Sequence, residues 1–557
     1  MLLRLILFYV FASCFPAIQV YAQNNINWIN HAGGNFTDRA QHIVNDQSGS
    51  LFVCGQFSDS ISIKNEWYVS SGLLDGLMMK ADTSGIIQWV TQWKGPKDEQ
   101  LIRMQWLSAT QLIVSGTFSD SLQYDNTIIY SLGFDDAFIA SVNPANGNLN
   151  WITTAGTLYG YEFIGGLCVA NHRIFWSVNY SGAVLIGNDM FGCVGAYDFL
   201  LSELDTLGNI LQSKPYHGSG VDLVSAIAAN PEGTLFACGK FNGQLSDSQD
   251  TLNSNGMFDI FYLSQEDDGS LNWLRSAGGY ATEVANALAV GQEQDVYLGC
   301  WMQDTLMFQD SLMIPDPSGE LFVVKLDYEG NKEWLFRGFP DSGSDQITDI
   351  TITCKGAVLF TGLTTYFADV TPESATDDSD ERTERCAFGD TYIAKLATDG
   401  TLLWLKNTLG TNSNLGLGLS ADPYGHIYVS GYFTDSLYAG IFDIPGNGGN
   451  DMMFFMLEDD EWCYSSPVSV AESHTEEAYL YPNPSNTNAS IVLKHGVPCT
   501  ITVSDLFGRI ICSQTTTSIT NRIPIGDCIK ETINEGLYLV TIQHPYGSAT
   551  LRWSYLK

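Results

Sequence analysis

The chain has 557 residues, with 25 Lys plus Arg against 62 Asp plus Glu and a formal charge of −37. Only 16% of residues are charged while 45% are hydrophobic and 12% aromatic, so the acidity reflects a shortage of bases. This composition excludes general disorder, and so acidic a surface disfavours nucleic acid.

At the N-terminus, Arg4 is the only charge before an apolar stretch from Leu5 to Ile18. Val20-Tyr21-Ala22 then supplies a cleavage site. The pattern predicts a secretory signal over residues 1–22, cleaved near Ala22. A membrane anchor and lipoprotein processing at Cys14 are the alternatives, and Phe11 departs from the lipobox pattern. No later segment reaches about 18 uninterrupted apolar residues, so no stable membrane span is expected.

Residues 23–460 carry an internal repeat. Tryptophan recurs at Trp28, Trp89, Trp151, Trp273, Trp334 and Trp404, spaced by 61, 62, 122, 61 and 70. The double interval points to a degenerate copy in which Gln212 stands for Trp, giving seven units. Each unit holds four strand-like runs. A Trp strand precedes a small-residue strand such as Ala226-Ile227-Ala228-Ala229. Next come a strand of the type Leu51-Phe52-Val53-Cys54-Gly55 and an apolar run such as Asp259-Ile260-Phe261-Tyr262-Leu263. Four strands at a period near 60 predict an all-β, seven-bladed β-propeller with four-stranded blades. The chain begins on a Trp strand and ends its seventh unit on a third strand, so the N-terminal strand is expected to close the ring. The repeats resemble the beta-propeller repeats of bacterial surface proteins, a resemblance that speaks to fold and not to ligand. The sixth unit is lengthened by an acidic insertion, Ala368 to Arg385, and residues 461–477 read as a linker.

The segment 478–557 differs in texture, with alternating runs such as Thr500-Ile501-Thr502-Val503 and Leu537-Tyr538-Leu539-Val540, and predicts a small Ig-like β-sandwich. Three motifs stand in order. They are Tyr481-Pro482-Asn483-Pro484, the stretch around Asp505 and Gly508, and Gly536-Leu537-Tyr538. Together they resemble the type A sorting domain of type IX secretion. The resemblance implies a Gram-negative bacterium of the Bacteroidetes kind and engagement of the type IX machinery through residues 478–557. It also implies an address outside the cell, secreted or on the outer surface.

Removal of Cys14 with the signal leaves 11 of 12 cysteines, an odd number that argues against a complete disulfide framework. Cys54, Cys238 and Cys300 read as buried thiols too far apart to bridge. Cys354–Cys386 could close the acidic insertion, and two of Cys499, Cys512 and Cys528 could pair. No metal-ligand spacing, nucleophile elbow or cofactor motif occurs, so no catalytic residue, metal or cofactor is assigned. Asp-Ser/Thr-aliphatic triplets recur, placing hydroxyls at Ser60, Ser121, Thr206, Thr251, Thr305, Ser311 and Ser436. They read as Asx turns, and they also resemble the O-glycosylation sequon of exported Bacteroidetes proteins. The functional expectation is a non-enzymatic surface scaffold binding glycan or protein on a propeller face. An extracellular hydrolase or lyase acting at the central mouth and a purely structural coat protein are the alternatives.

Overall fold

The computed structural model describes residues 26–247, 249–315, 319–338, 345–364, 389–439, 442–459 and 463. Beyond these it describes 478–481, 490–493, 499–505, 510–516, 522–524, 536–544 and 547–555. The signal segment 1–22, the acidic insertion with Cys386, and Pro482, Asn483, Pro484 and Gly508 lie outside the described residues. The chain divides into two compact units, Met1–Cys463 and Tyr464–Lys557.

Every regular element among the described residues is a β-strand. In the first unit each antiparallel sheet has four main strands, three from one repeat and the Trp strand of the next. The first sheet runs Arg39–Asn45, Ser50–Ile63, Glu66–Asp82, Ile87–Trp93. The inner strands of the next five are Glu99–Ser108, Glu162–Ala170, Asp222–Ala229, Glu283–Val290 and Gln346–Ile352. The seventh sheet takes Asn414–Ala421, His426–Ala439 and Phe442–Glu458 from the end of the unit and its fourth strand, Ile26–Ala32, from the beginning. There Trp28 stands opposite Met456 and Ala32 opposite Met452. Inner strands of consecutive sheets lie side by side, and the seventh again borders the first.

Packing explains the sequence texture. Each junction between neighbouring sheets encloses its own apolar core. At the seventh-to-first junction Phe57 and Leu77 meet Tyr428 and Phe454. The strands are therefore covered on both faces, and third strands such as Asp259–Gln265 are buried throughout. That is why they read as continuous apolar runs rather than as alternating ones. The outer strands lock each sheet to the next. Trp151 Nε1 donates to Thr206 O at 2.9 Å and Trp273 Nε1 to Tyr328 O at 3.1 Å. Gln212 Nε2 makes the matching bond to Asp267 O at 2.8 Å. The degenerate copy thus keeps the hydrogen bond while dispensing with the indole. The turn glycine beneath the ring belongs to the same device. Gly208 has φ 83°, and a Cβ there would lie 2.5 Å from Trp151.

Two inserted hairpins add a further tie. Ala183–Ile186 with Asp189–Gly192 joins Leu149–Gly156 of the preceding sheet, and Gln244–Ser246 with Thr251–Asn253 joins Ile210–Gly218 in the same manner.

The cysteine expectations need two corrections. Cys354 bonds Cys463, not Cys386. Cys354 lies in the turn between Gln346–Ile352 and Val358–Thr364, and Cys463 N donates to Pro423 O at 2.9 Å, which carries the end of the unit onto the seventh sheet. Cys463, placed in the linker by the sequence, thereby belongs to the first unit. Second, Cys238 and Cys300 are buried free thiols as expected, but they share one core between the fourth and fifth sheets. Burial pushes the Cys54, Cys238 and Cys300 thiols up.

The second unit contains a three-stranded sheet (Ala478–Tyr481, Ser490–Leu493, Arg522–Pro524) and a four-stranded sheet (Ile510–Thr516, Cys499–Asp505, Gly536–His544, Gly547–Tyr555). Ile501, Val503, Val540 and Ile542 are buried on alternating positions, as a half-covered strand requires. Cys512 is disulfide-bonded.

Candidate ligand-binding site

A cavity of about 320 Å³ is lined by residues from all seven inner strands. Its shape follows from a repeated irregularity. Every inner strand carries a register shift at the same place, between Ala40 and His42, Leu101 and Arg103, Ile164 and Gly166, and at the four equivalent points beyond. Such a bulge re-aims the side chain that follows it. The following residues are His42, Arg103, Gly166, Ala226, Ala287, Asp349 and Gly418, and all but Gly418 line the cavity. Gly418 sits where a Cβ would lie 2.9 Å from the His42 Cα, so glycine permits the seventh inner strand to approach the first. The cavity is consequently lopsided. Asp349, His42 and Arg103 come from the sixth, first and second sheets, while Gly166, Ala226 and Ala287 form the opposite wall.

The charged side has defined geometry. His42 Nε2 lies 3.9 Å from Asp349 Oδ2, and the His42 side chain is 8% exposed. Burial, then the nearby Arg103 guanidinium, depress the imidazole to about 3, so His42 is neutral. Its Nδ1 has no hydrogen-bond partner among the described residues. Asp349 accepts from Leu419 N at 2.7 Å and Ile350 N at 3.0 Å. Burial raises its carboxyl to about 6 against the pull of Arg103 and these amides. Arg103 Nη1 makes one long bond of 3.4 Å to Ile102 O. None of these three was singled out from the sequence. Aligning the inner strands at the repeat spacing and asking which copies break the Gly/Ala rule would have found them.

A second feature the sequence left unread is a set of buried carboxylates. Each inner strand begins at an acid or amide: Asp38, Glu99, Glu162, Asp222, Glu283, Asp345 and Asn414, all buried. Each third strand carries its own: Asp75, Asp136, Asp198, Asp259, Glu320, Asp390 and Asp451, also buried. The inner-strand acid of one sheet meets the third-strand acid of the sheet before it. Glu99 is raised to about 9 by burial, then by Asp75 and Asp98. Asp222 is raised to about 8 by burial, then by Asp198. Glu162 reaches about 8 by burial, with Asp136 adding. Two junctions escape this repulsion. Glu320 is paired with Arg337 at 2.5 Å, and Asn414 Nδ2 donates to Asp390 at 3.1 Å. The third-strand aspartates also cap the loops before them, as Asp136 does by accepting from Leu132 N at 2.9 Å.

Away from the cavity lining, aromatic side chains are exposed on long hairpins. In the first and second sheets the hairpin strands extend to 14–17 residues. Their alternation exposes Trp67, Val69 and Leu73 on one hairpin and Ile128, Tyr130, Leu132 and Phe134 on the other. Phe134 stacks on Tyr161 with centroids 5.0 Å apart and planes 15° from parallel. Tyr130 is 71% and Tyr159 88% exposed.

The sequence-selected hydroxyls are dispersed around the unit, each half-buried or exposed. The Asx reading holds at Asp205, which accepts from Leu207 N at 2.9 Å. It fails at Asp59, Asp120 and Asp435. These have φ of 57°, 67° and 66° and stand at register shifts in long strands, so they are bulge residues. The aliphatic third residue is a core anchor in each case (Ile61, Leu122, Leu437). In the second unit the strands place Tyr481 opposite Ser490 and both Asp505 and Trp553 opposite Tyr538, which is buried. Gly536 opens the strand that ends at His544.

Residues 479–553 match the secretion-system C-terminal sorting domain. The chain therefore carries a type IX sorting tail and is exported to the cell surface or the extracellular space. No helix among the described residues is long and apolar enough to cross a membrane.

Among curated proteins none matches the chain. Similar solved structures include PorZ, an essential surface component of the type IX secretion system of Porphyromonas gingivalis. It is 12% identical over 95% of this chain and 85% of that one, with a TM-score of 0.23. Sqt1 of Chaetomium thermophilum is 9% identical over 78% of this chain and 100% of that one, at 0.39. A DUF4221 member from Bacteroides vulgatus is 10% identical over 78% and 99%, at 0.29. At these values none of the three speaks to function.

Proposed function

We propose that the first unit is a seven-bladed β-propeller that works outside the cell as a glycan-binding scaffold. The cyclic adjacency of the inner strands and the closing strand Ile26–Ala32 support the ring. The observation that carries the binding function is the exposed aromatic cluster of Tyr130 and Phe134 on the second-sheet hairpin and Tyr159 and Tyr161 on the connection to the third sheet, with Asp120, Ser131 and Asp135 on the same hairpin. Aromatic faces offer stacking surface for the apolar face of a sugar, and adjacent hydroxyls and carboxylates take its polar edge. A rigid ring presenting loops suits recognition. The net charge of −37 favours neutral over anionic glycans. The cavity supports binding over hydrolysis, since Asp349 is the one carboxylate among its lining residues and glycoside cleavage ordinarily uses two. Ser60, Ser121, Thr206, Thr251, Thr305, Ser311 and Ser436 are proposed to carry O-glycans in the native host.

The test is an array of neutral and acidic glycans probed with the full chain and with a Tyr130→Ala/Phe134→Ala/Tyr161→Ala variant. Binding to neutral glycans that falls at least tenfold in the variant is expected. Equal signals from both proteins would overturn the aromatic cluster as the site, and no binding at all would favour the structural-coat reading.

A further inference from the structure

Several cations of the first unit are held by carboxylates. Arg173 is beside Glu203, Arg337 lies 2.5 Å from Glu320, and Lys325 lies 2.8 Å from both Asp295 and Glu333. Arg103, which lines the central cavity, is held differently. Among the described residues no carboxylate lies within 4.0 Å of its guanidinium, and a single 3.4 Å bond serves five N–H donors. A guanidinium lining a cavity with that little compensation is a site for an oxyanion, and its fork fits a carboxylate.

Asp349 fixes the rest of the ligand. It lies in the same cavity, unpaired with Arg103, and a plain monoanion bound at Arg103 would be repelled by it. A ligand that also carries an ammonium group turns that repulsion into attraction. The neutral His42 imidazole flanks Asp349, with Nε2 3.9 Å from Oδ2. The opposite wall carries the small residues Gly166, Ala226 and Ala287, with Asn286 and Leu288 beside them. The volume of about 320 Å³ falls at the lower end for small-molecule pockets.

We propose that the central cavity binds a small zwitterion, a free α-amino acid with a short apolar side chain. Arg103 takes its carboxylate, Asp349 its ammonium, and the Gly/Ala wall receives its side chain. Such a ligand has no net charge, so the acidic exterior does not repel it. This site is separate from the exposed aromatic cluster and does not rest on it.

Calorimetry on the full chain tests the assignment with three probe sets: alanine, valine and leucine; lactate, which has the carboxylate alone; and ethylamine, which has the ammonium alone. The amino acids are expected to bind at least tenfold tighter than either partial probe. Arg103→Gln and Asp349→Asn are each expected to weaken amino-acid binding at least tenfold. Asn retains an acceptor for Leu419 N, and thermal melts of both variants identify any that fail to fold. Lactate binding as tightly as alanine would overturn the role of Asp349. Amino-acid binding unchanged in folded Arg103→Gln would overturn the site, as would the absence of binding by all three amino acids to the parent chain.

Discussion

Glu99 gives the sharpest test of the buried carboxylates. It is 0% exposed, neither carboxyl oxygen has a hydrogen-bond partner among the described residues, and it faces Asp75 across the junction of the first two sheets. Its folded-state pKa of about 9 lies above the ordinary 4.5, so folding takes up a proton at every pH between the two. The associated stability is complete below the ordinary value and drains as pH rises toward the folded one. Glutamine is isosteric and already neutral, so Glu99→Gln removes the proton uptake. From 4.5 to neutrality the difference amounts to about 3 kcal/mol, from roughly 1.4 kcal/mol per unit. The variant is expected to match the parent near pH 4.5 and to exceed it by about 3 kcal/mol at neutral pH. The natural junction built on Asn414 is the precedent for an amide here. Urea titrations followed by tryptophan fluorescence across that range measure the difference. Parallel pH profiles for the two proteins would refute the reasoning, because they would mean that Glu99 exchanges no proton on folding.

Two further outcomes follow from the packing. Trp151→Ala removes an indole stacked on Gly208 and the bond to Thr206 O, and should lower unfolding free energy by about 3 kcal/mol. Gly208→Ala, which strains a φ of 83° and meets the same ring, should destabilise as well, and thermal melts that leave both variants unchanged would sink the lock. Cys354→Ser opens a loop spanning 109 residues and should cost about 4–5 kcal/mol in oxidising conditions and nothing in reductant. An oxidised parent no more stable than the variant would contradict the disulfide.

Much of the architecture was legible because it is written in spacing. The recurrence of Trp28, Trp89 and Trp151 comes from one hydrogen bond repeated between neighbouring sheets, and any residue able to make it can substitute. That is why Gln212 could be placed in the series without an indole. Strand Ile26–Ala32 completing the seventh sheet was readable for a similar reason, since a unit left one strand short and a spare strand at the other end answer each other. The sorting tail was legible because its motifs are local. The bulge aspartates Asp59, Asp120 and Asp435 were misread because Asp before Ser looks the same in a turn and in a left-handed bulge.

The sequence by itself determined the period, the strand content, the closing strand and the export address, all of which depend on neighbours along the chain or on exact repetition. Tertiary structure decided the rest. Asp349 and His42 lie hundreds of residues apart and meet only because the seventh inner strand, thinned to glycine at Gly418, borders the first. Cys354 chose Cys463 because the end of the unit is carried back against the seventh sheet. The acids that open the strands look like turn residues in sequence. Only the closing of one sheet on the next takes them out of water, and that loss of solvent gives them protons to hold at neutral pH.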